Sequence, residues 1–342
     1  MLNLAAIQRL YKTWLPDTSI LTLETSTTSQ AVLDAVRENW PQVSPRSAAS
    51  FSKNIAGYFS NPANPSPAYA ITEQLDGALV RIVALDFERL SKPETYGFHL
   101  IAAGLPEDAL GTFIAIHEAG HVALDSLLQN HACLPEDSAT TDSHDELKAL
   151  VAARGCANLQ SRFGLEIDPT IIFPRLQESV CDLFGSAATA AELGLPQDDF
   201  IQRIADNRAI LLHGVITQNI GGEEALDHHA APLLQAAVRD FSAKKAQDGS
   251  LFSSVLDYAV KGLRTDKTLL DFPDRKMITA LVSGTETPTD SALLTLAPKI
   301  KKLQALFDHQ RVAMQRAAMH AVQPARGEMP QPGHAAPHRH FT

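Results

Sequence analysis

The chain has 342 residues, 45% hydrophobic and 20% charged, so it can bury a substantial core in one large domain or two modest ones. A net charge of −10 excludes a broad nucleic-acid-binding surface, which needs a positive face, and neither common type of glycine-rich phosphate loop is present. Cys133, Cys156 and Cys181 are odd in number and form no CxxC pair, which suits a reducing compartment better than a disulfide framework.

The N-terminal MLNLAAIQRLYKTWLPDTS lacks the long apolar run and small-residue cleavage site of a secretory signal, and no stretch reaches transmembrane length. The expectation is a cytoplasmic chain, with export by a signal-less route still compatible with its Ser/Thr-rich N-terminal stretch. Residues 1–70 form an N-terminal region whose short apolar stretches are broken by TSTTS, SPRSAASFS and NPANPSP. LDGALVRIVALDFERL (75–90) fits strand or helix, because its alternation is imperfect, whereas TYGFHLIAA (95–103) reads as a strand.

Leu105-Pro106-Glu107-Asp108 then opens a helix running to about Asn130, with proline in its first turn and acids at its positive end. A polar loop, 129–142, follows. Ser143 to Glu146 has the capping-box form, and Gly164 closes the next helix. Pro174 begins a helix that stops at Gly194, and two more are expected near 198–213 and 223–243. Residues 246–322 are helical again, and the tail 323–342, with little to bury, is expected to be disordered. The fold class expected is α+β and predominantly helical, with a small β-sheet preceding the helix that carries HEAGH, in a domain spanning 71–245.

That helix, FIAIHEAGHVALDSLL, is apolar on nearly every side, so two imidazoles and a carboxylate inside it need partners. Residues four apart share a helix face, about 6 Å apart along the axis, so His117 and His121 can offer ring nitrogens to one ion. Glu118 beside them can act on a water bound to that ion. This is the HExxH arrangement of a zinc site, Zn2+ being the one catalytic ion expected. A chance match on three fixed positions is the plain alternative, and two helical histidines can be ordinary interior residues. Gly120 weakens the helix by about 1 kcal/mol relative to alanine, which points to a close neighbour.

A catalytic zinc takes a third protein ligand and keeps one position open. A longer class of this motif needs glycine at 124 and histidine at 127; both are leucine. Asp125 lies about 12 Å of helix rise from His117, too far to share an ion with both histidines. QESVCDLFG (177–185) offers more: Glu178 can be the third ligand while Asp182, one turn on, bonds the remote nitrogen of a ligand histidine. Two solvated acids on an amphipathic helix would look the same.

HEAGH followed by ESVCDLFG resembles the gluzincin zinc metallopeptidases. The second segment is similar to the thermolysin-like pattern, in which Glu, Ser, Asp, Phe and Gly recur at these spacings. The resemblance implies a zincin-like domain, with Glu178 as third ligand and Asp182 as the support of a ligand histidine. The chain departs from that pattern in its Ala-Gly middle pair, in the longer separation of His121 from Glu178, and in having no recognisable downstream histidine motif. HEAGH also occurs in membrane-anchored AAA proteases, whose phosphate loop and membrane spans this sequence lacks.

The reading these residues imply is a zinc-dependent peptidase acting on a peptide or protein substrate, with Glu118 as general base and no nucleic acid or membrane span involved. An oxyanion donor is expected from beyond the Glu178 helix. His213 in ILLHGV is the first candidate, though a core histidine bonded to backbone looks the same; the His228-His229 pair and Tyr96 follow. Segment 95–103, or part of 78–87, can supply the edge strand for substrate. The loop with Glu136, Asp137 and Asp142 can be a lid or a calcium site, or a solvated loop. The tail histidines His334, His338 and His340 fit a disordered end. Two alternatives stand beside the peptidase: a helical interaction protein with an inactive or structural zincin-like core, and a zinc hydrolase of a non-peptide amide.

Overall fold

The computed structural model describes residues 2–59, 66–92, 101–102, 104–129, 132–133, 144–170, 172–218, 228, 230–242, 251–267 and 269–270, with backbone alone at 132–133, 144–148 and 209–218. The chain divides into two units, Met1–Ile300 and Lys301–Thr342, and every described residue belongs to the first. The expected tail therefore lies outside the described residues.

The chain begins with α1 (Leu4–Trp14), whose first turn is closed by Asn3, its side chain accepting from the Ala6 N–H at 3.0 Å. A short strand, β1 (Leu21–Glu24), precedes α2 (Ser29–Asn39), capped by Thr28, and α3 (Pro45–Phe59), which starts on a proline. Next comes a hairpin, β2 (Ala68–Leu75) and β3 (Ala78–Leu85). Its two-residue turn is Asp76-Gly77, with φ of 47° and 82°, the left-handed pair that a tight hairpin demands. The Asp76 carboxylate accepts from the Ser44 N–H at 2.6 Å and the Ser47 hydroxyl at 3.1 Å, tying the turn to the start of α3.

The described sheet runs β1-β3-β2-β4, the last being the two-residue β4 (Ala132–Cys133). β3 is antiparallel to β2 along its whole length and parallel to β1 over 82–85, while β4 runs parallel to β2. The ambiguous stretch at 75–90 is thus a strand followed by the short α4 (Phe87–Leu90). Its alternation looked imperfect because both faces are covered. Val80, Ile82 and Ala84 pack with Val32, Val36 and Phe51 on one side, and Val83 and Leu85 join the main core on the other. The segment boundary expected at residue 70 falls inside β2, and residues before it supply β1 and both helices over one sheet face. Of the strand expected at 95–103, only Ile101 and Ala102 are described, and Ile101 sits in a turn.

After the sheet comes α5 (Ala109–Leu128), almost wholly buried. Its amino-terminal half is braced by α1, where the Tyr11 hydroxyl donates to the Ala115 carbonyl at 2.9 Å. Its C-terminus turns at Gln129, φ 51°. There α6 (His144–Phe163) supplies donors for orphan carbonyls, the Asn158 amide to Leu128 and the Arg162 guanidinium to Leu127. The chain continues as α7 (Ile172–Leu193), α8 (Gln197–Gln218), α9 (Ala231–Asp240) and α10 (Leu251–Thr265). The fold is mixed α+β and mostly helical, with its small sheet largely ahead of α5.

Two glycines let α5 and α7 approach closely. A Cβ on Gly120 would stand 3.2 Å from Cys181 Sγ and 3.4 Å from Cys181 Cα; one on Gly185 would stand 3.1 Å from Phe113 Cδ2 and 3.2 Å from the Phe113 carbonyl oxygen. The close neighbour that Gly120 required is therefore α7. Residue 120 meets 181 while 113 meets 185, so the helices run in opposite directions. A side chain at either glycine must push against backbone in a packed interior. Gly120→Leu is expected to lower unfolding free energy by about 1–3 kcal/mol. By contrast, Gly57→Ala, exposed on α3 with nothing near its Cβ, is expected to add about 0.5–1 kcal/mol. Urea unfolding of both variants checks the contrast.

Among the described residues, Glu73 on β2 has a buried oxygen without a hydrogen-bond partner. Burial raises its carboxyl from the ordinary 4.5 to about 7. The native chain then holds this proton more tightly than the unfolded chain, so the contribution of Glu73 to stability is full below pH 4.5, falls as pH rises to about 7, and stays lower beyond. At 1.36 kcal/mol per unit the loss is at most about 3 kcal/mol. Glu73→Gln is expected to flatten the stability profile across that window and to raise stability at pH 8, as followed by urea unfolding at stepped pH.

Candidate metal centre

The antiparallel crossing of α5 and α7 puts two i,i+4 pairs face to face, His117 and His121 opposite Asp182 and Glu178. The Nε2 atoms of the two histidines stand 3.1 Å apart. Glu178 Oε2 is 3.4 Å from His117 Nε2, and Glu178 Oε1 is 3.4 Å from His121 Nε2. Bonds of about 2.0–2.1 Å to one tetrahedral ion place its ligand atoms roughly 3.3–3.4 Å apart. Each imidazole nitrogen has a different Glu178 oxygen at that spacing, and with one atom from each residue the three lie within 4.8 Å of one another, so they can hold a metal ion together. Two imidazole nitrogens and a carboxylate are a donor set that suits a divalent first-row metal.

Behind these groups lies a buried charge chain. His117 Nδ1 is 2.9 Å from Asp182 Oδ1, and Arg208 on α8 grips the same carboxylate in a two-pronged contact, Nε to Oδ2 and Nη2 to Oδ1, both at 2.7 Å. Asp182 is fully buried and Arg208 nearly so. A fixed carboxylate at Nδ1 leaves Nε2 as the nitrogen that faces the shared point.

Electrostatics follow from this packing. Burial opposes charge on His117, but its contacts with Asp182 and Glu178 prevail and push the ring up to about 10. His121 is likewise raised, burial being overcome by Glu178. Burial would raise both carboxyls; instead His228 and the two facing histidines hold Glu178 well below the usual carboxylate range, and Arg208 leads in holding Asp182 at about 2. Both acids stay ionised, and the raised imidazoles together with Arg208 answer their charge.

Glu118 is half-buried on α5, and its charge registers at His121 and Arg208. Asp125, one turn beyond His121, stands outside the three-residue group. His213 falls within α8, but its side chain lies outside the described residues. His229, Tyr96, Glu136, Asp137, Asp142, His334, His338 and His340 also lie outside them. The segment 78–87 contains β3, which is flanked by β1 and β2 over 82–85, whereas 78–81 pairs with β2 alone. Arg208 is a site residue that motif reading passes over, though Phe200 and Ile204 put 208 on the buried stripe of α8. His228, ranked behind His213 from sequence, has its Nδ1 2.8 Å from Glu178 Oε2. Among the described residues, no helix is long and apolar enough to cross a membrane.

In comparisons with protein-family models, curated proteins and solved structures, nothing matches this chain.

Removing one member of a buried ion pair strands the other charge, at about 3–5 kcal/mol. Arg208→Met is expected to lose stability in that range. The double variant Arg208→Met/Asp182→Asn should lose less than the sum of the two single changes, since no stranded charge remains. A double-mutant cycle by urea unfolding measures the coupling.

Proposed function

We propose that this chain is a zinc-dependent peptidase of gluzincin type, its ion held by His117, His121 and Glu178. The observation that carries the reading is that one ligand atom from each of His117, His121 and Glu178 lies within 4.8 Å of the other two, with the imidazole nitrogens 3.1 Å apart and a Glu178 oxygen 3.4 Å from each, the one such group among the described residues. An accidental HExxH match has no reason to find a carboxylate from a distant helix at bonding geometry. Among divalent ions, zinc fits two imidazoles and one carboxylate with a corner left for water.

When bound, the ion supplies Lewis acidity towards a carbonyl oxygen and a water acidic enough to ionise near pH 7. Glu118, beside His117 on α5, would be the group that accepts a proton from the attacking water and returns one to the departing amine. Asp182 and Arg208 keep the His117 ring turned with Nε2 forward. The intact base at 118 separates this reading from a structural zinc site, which has no use for one. Peptide substrates follow from the gluzincin resemblance rather than from any recess described above.

Metal analysis paired with mutation tests it. Wild-type protein should carry about one zinc per chain, and His117→Ala and Glu178→Ala should lose it. Glu118→Gln should keep the zinc while hydrolysis of a peptide library falls by at least about 100-fold. Zinc retained by Glu178→Ala removes the third ligand, and full activity in Glu118→Gln removes the base.

A further inference from the structure

Glu178 Oε2 and His228 Nδ1 are both buried atoms without a directional hydrogen-bond partner. Such orphans are rare in folded proteins. They stand 2.8 Å apart, one an acceptor and the other a ring nitrogen able to donate. The ring N–H is not aimed at the oxygen in this geometry, and at 2.8 Å a small rotation of either side chain turns the contact into a hydrogen bond. Although Nδ1 is buried, the His228 side chain is 42% exposed.

The ring's place is set by packed structure. The Ala230 N–H donates to the His228 carbonyl at 2.9 Å, forming the turn that leads into α9, and Ala230 and Ala231 are buried there. The atoms that converge on one point are those of His117, His121 and Glu178, and His228 is not among them. It touches a ligand without being placed as one.

Resting on the metal reading above, we infer that His228 is a positioning residue for Glu178. Its Nδ1–H donates to Oε2 and so fixes which carboxylate oxygen is left for the ion. A carboxylate free to rotate offers one or two oxygens; one pinned on a single oxygen offers the other alone. This gives Glu178 the same kind of outer partner that Asp182 gives His117, so each ligand-bearing helix has one ligand held from behind. Outer partners of this kind set metal affinity by about 10–100-fold.

The test uses the full chain, Zn2+ affinity by competition with a chromophoric chelator, and the visible absorption of the Co2+-loaded protein, which reports coordination independently of activity. His228→Ala should bind Zn2+ about 10–100-fold more weakly and shift the Co2+ absorption. His228→Asn, whose amide N–H falls near the place of Nδ1–H, should restore most of both. Circular dichroism of each apo variant should match wild type, as expected for a half-exposed side chain. Wild-type affinity and spectrum in His228→Ala, or His228→Asn no better than His228→Ala, overturns the positioning role while leaving the metal reading intact. A wild-type chain that binds neither ion overturns both.

Discussion

The distance between two helix axes decides everything else in this molecule. At Gly120 and Gly185 one helix brings no side chain to the crossing, and Cys181, Phe184 and Phe113 of the facing helix lie at or inside ordinary contact of where a Cβ would stand. Ligands four residues apart have short reach along their own helix, so a wider crossing would leave the carboxylate of 178 stranded from the imidazoles of 117 and 121. The helix-weakening effect of glycine in α5 is therefore set against close packing on Cys181 and Phe184, which would have to give way to a Cβ.

The same crossing makes a demanding electrostatic interior. Two ionised carboxylates sit on α7, one turn apart, in a region dominated by leucine, phenylalanine and alanine. Asp182 is answered by Arg208 from α8, in the planar fork geometry that guanidinium and carboxylate share. Among the described residues, the direct ion-pair contacts of Glu178 are with imidazoles. The difference assigns the two acids different tasks: one is neutralised by a permanent cation and is structural support, whereas the other faces groups that can yield to a metal.

Much of this was legible in the residues. HEAGH stood out because polar groups in an apolar helix need partners, and the helix runs over nearly the span its proline and acids predict. Glu178 was visible mainly through the company it keeps in ESVCDLFG, since an acid pair on a helix is common. Asp76-Gly77 was the signal that would have resolved 75–90 as half of a hairpin, where periodicity failed because β3 is covered on both faces. β1 is four residues long and pairs with a strand far along the chain, which local pattern does not encode. Arg208 was hidden by a helix whose first turn is acidic and whose stripe reads as ordinary amphipathicity. His228 was hidden because nothing in its own segment tells which distant side chain it meets.

The connection between α5 and α7 bears on how such sites are compared across chains. The facing pairs, His117 with His121 and Glu178 with Asp182, are registered by the crossing of two helices, while α6 between them in sequence braces the end of α5 through Asn158 and Arg162. Loop-closure entropy grows slowly with length, about 0.6 kcal/mol for each doubling of a flexible connection. The count of residues from His121 to Glu178 is thus a soft variable, open to insertion without disturbing the geometry. Small residues at the contact, by contrast, are a hard one, and they give a sounder basis for aligning this centre with another than the linear spacing of its ligands.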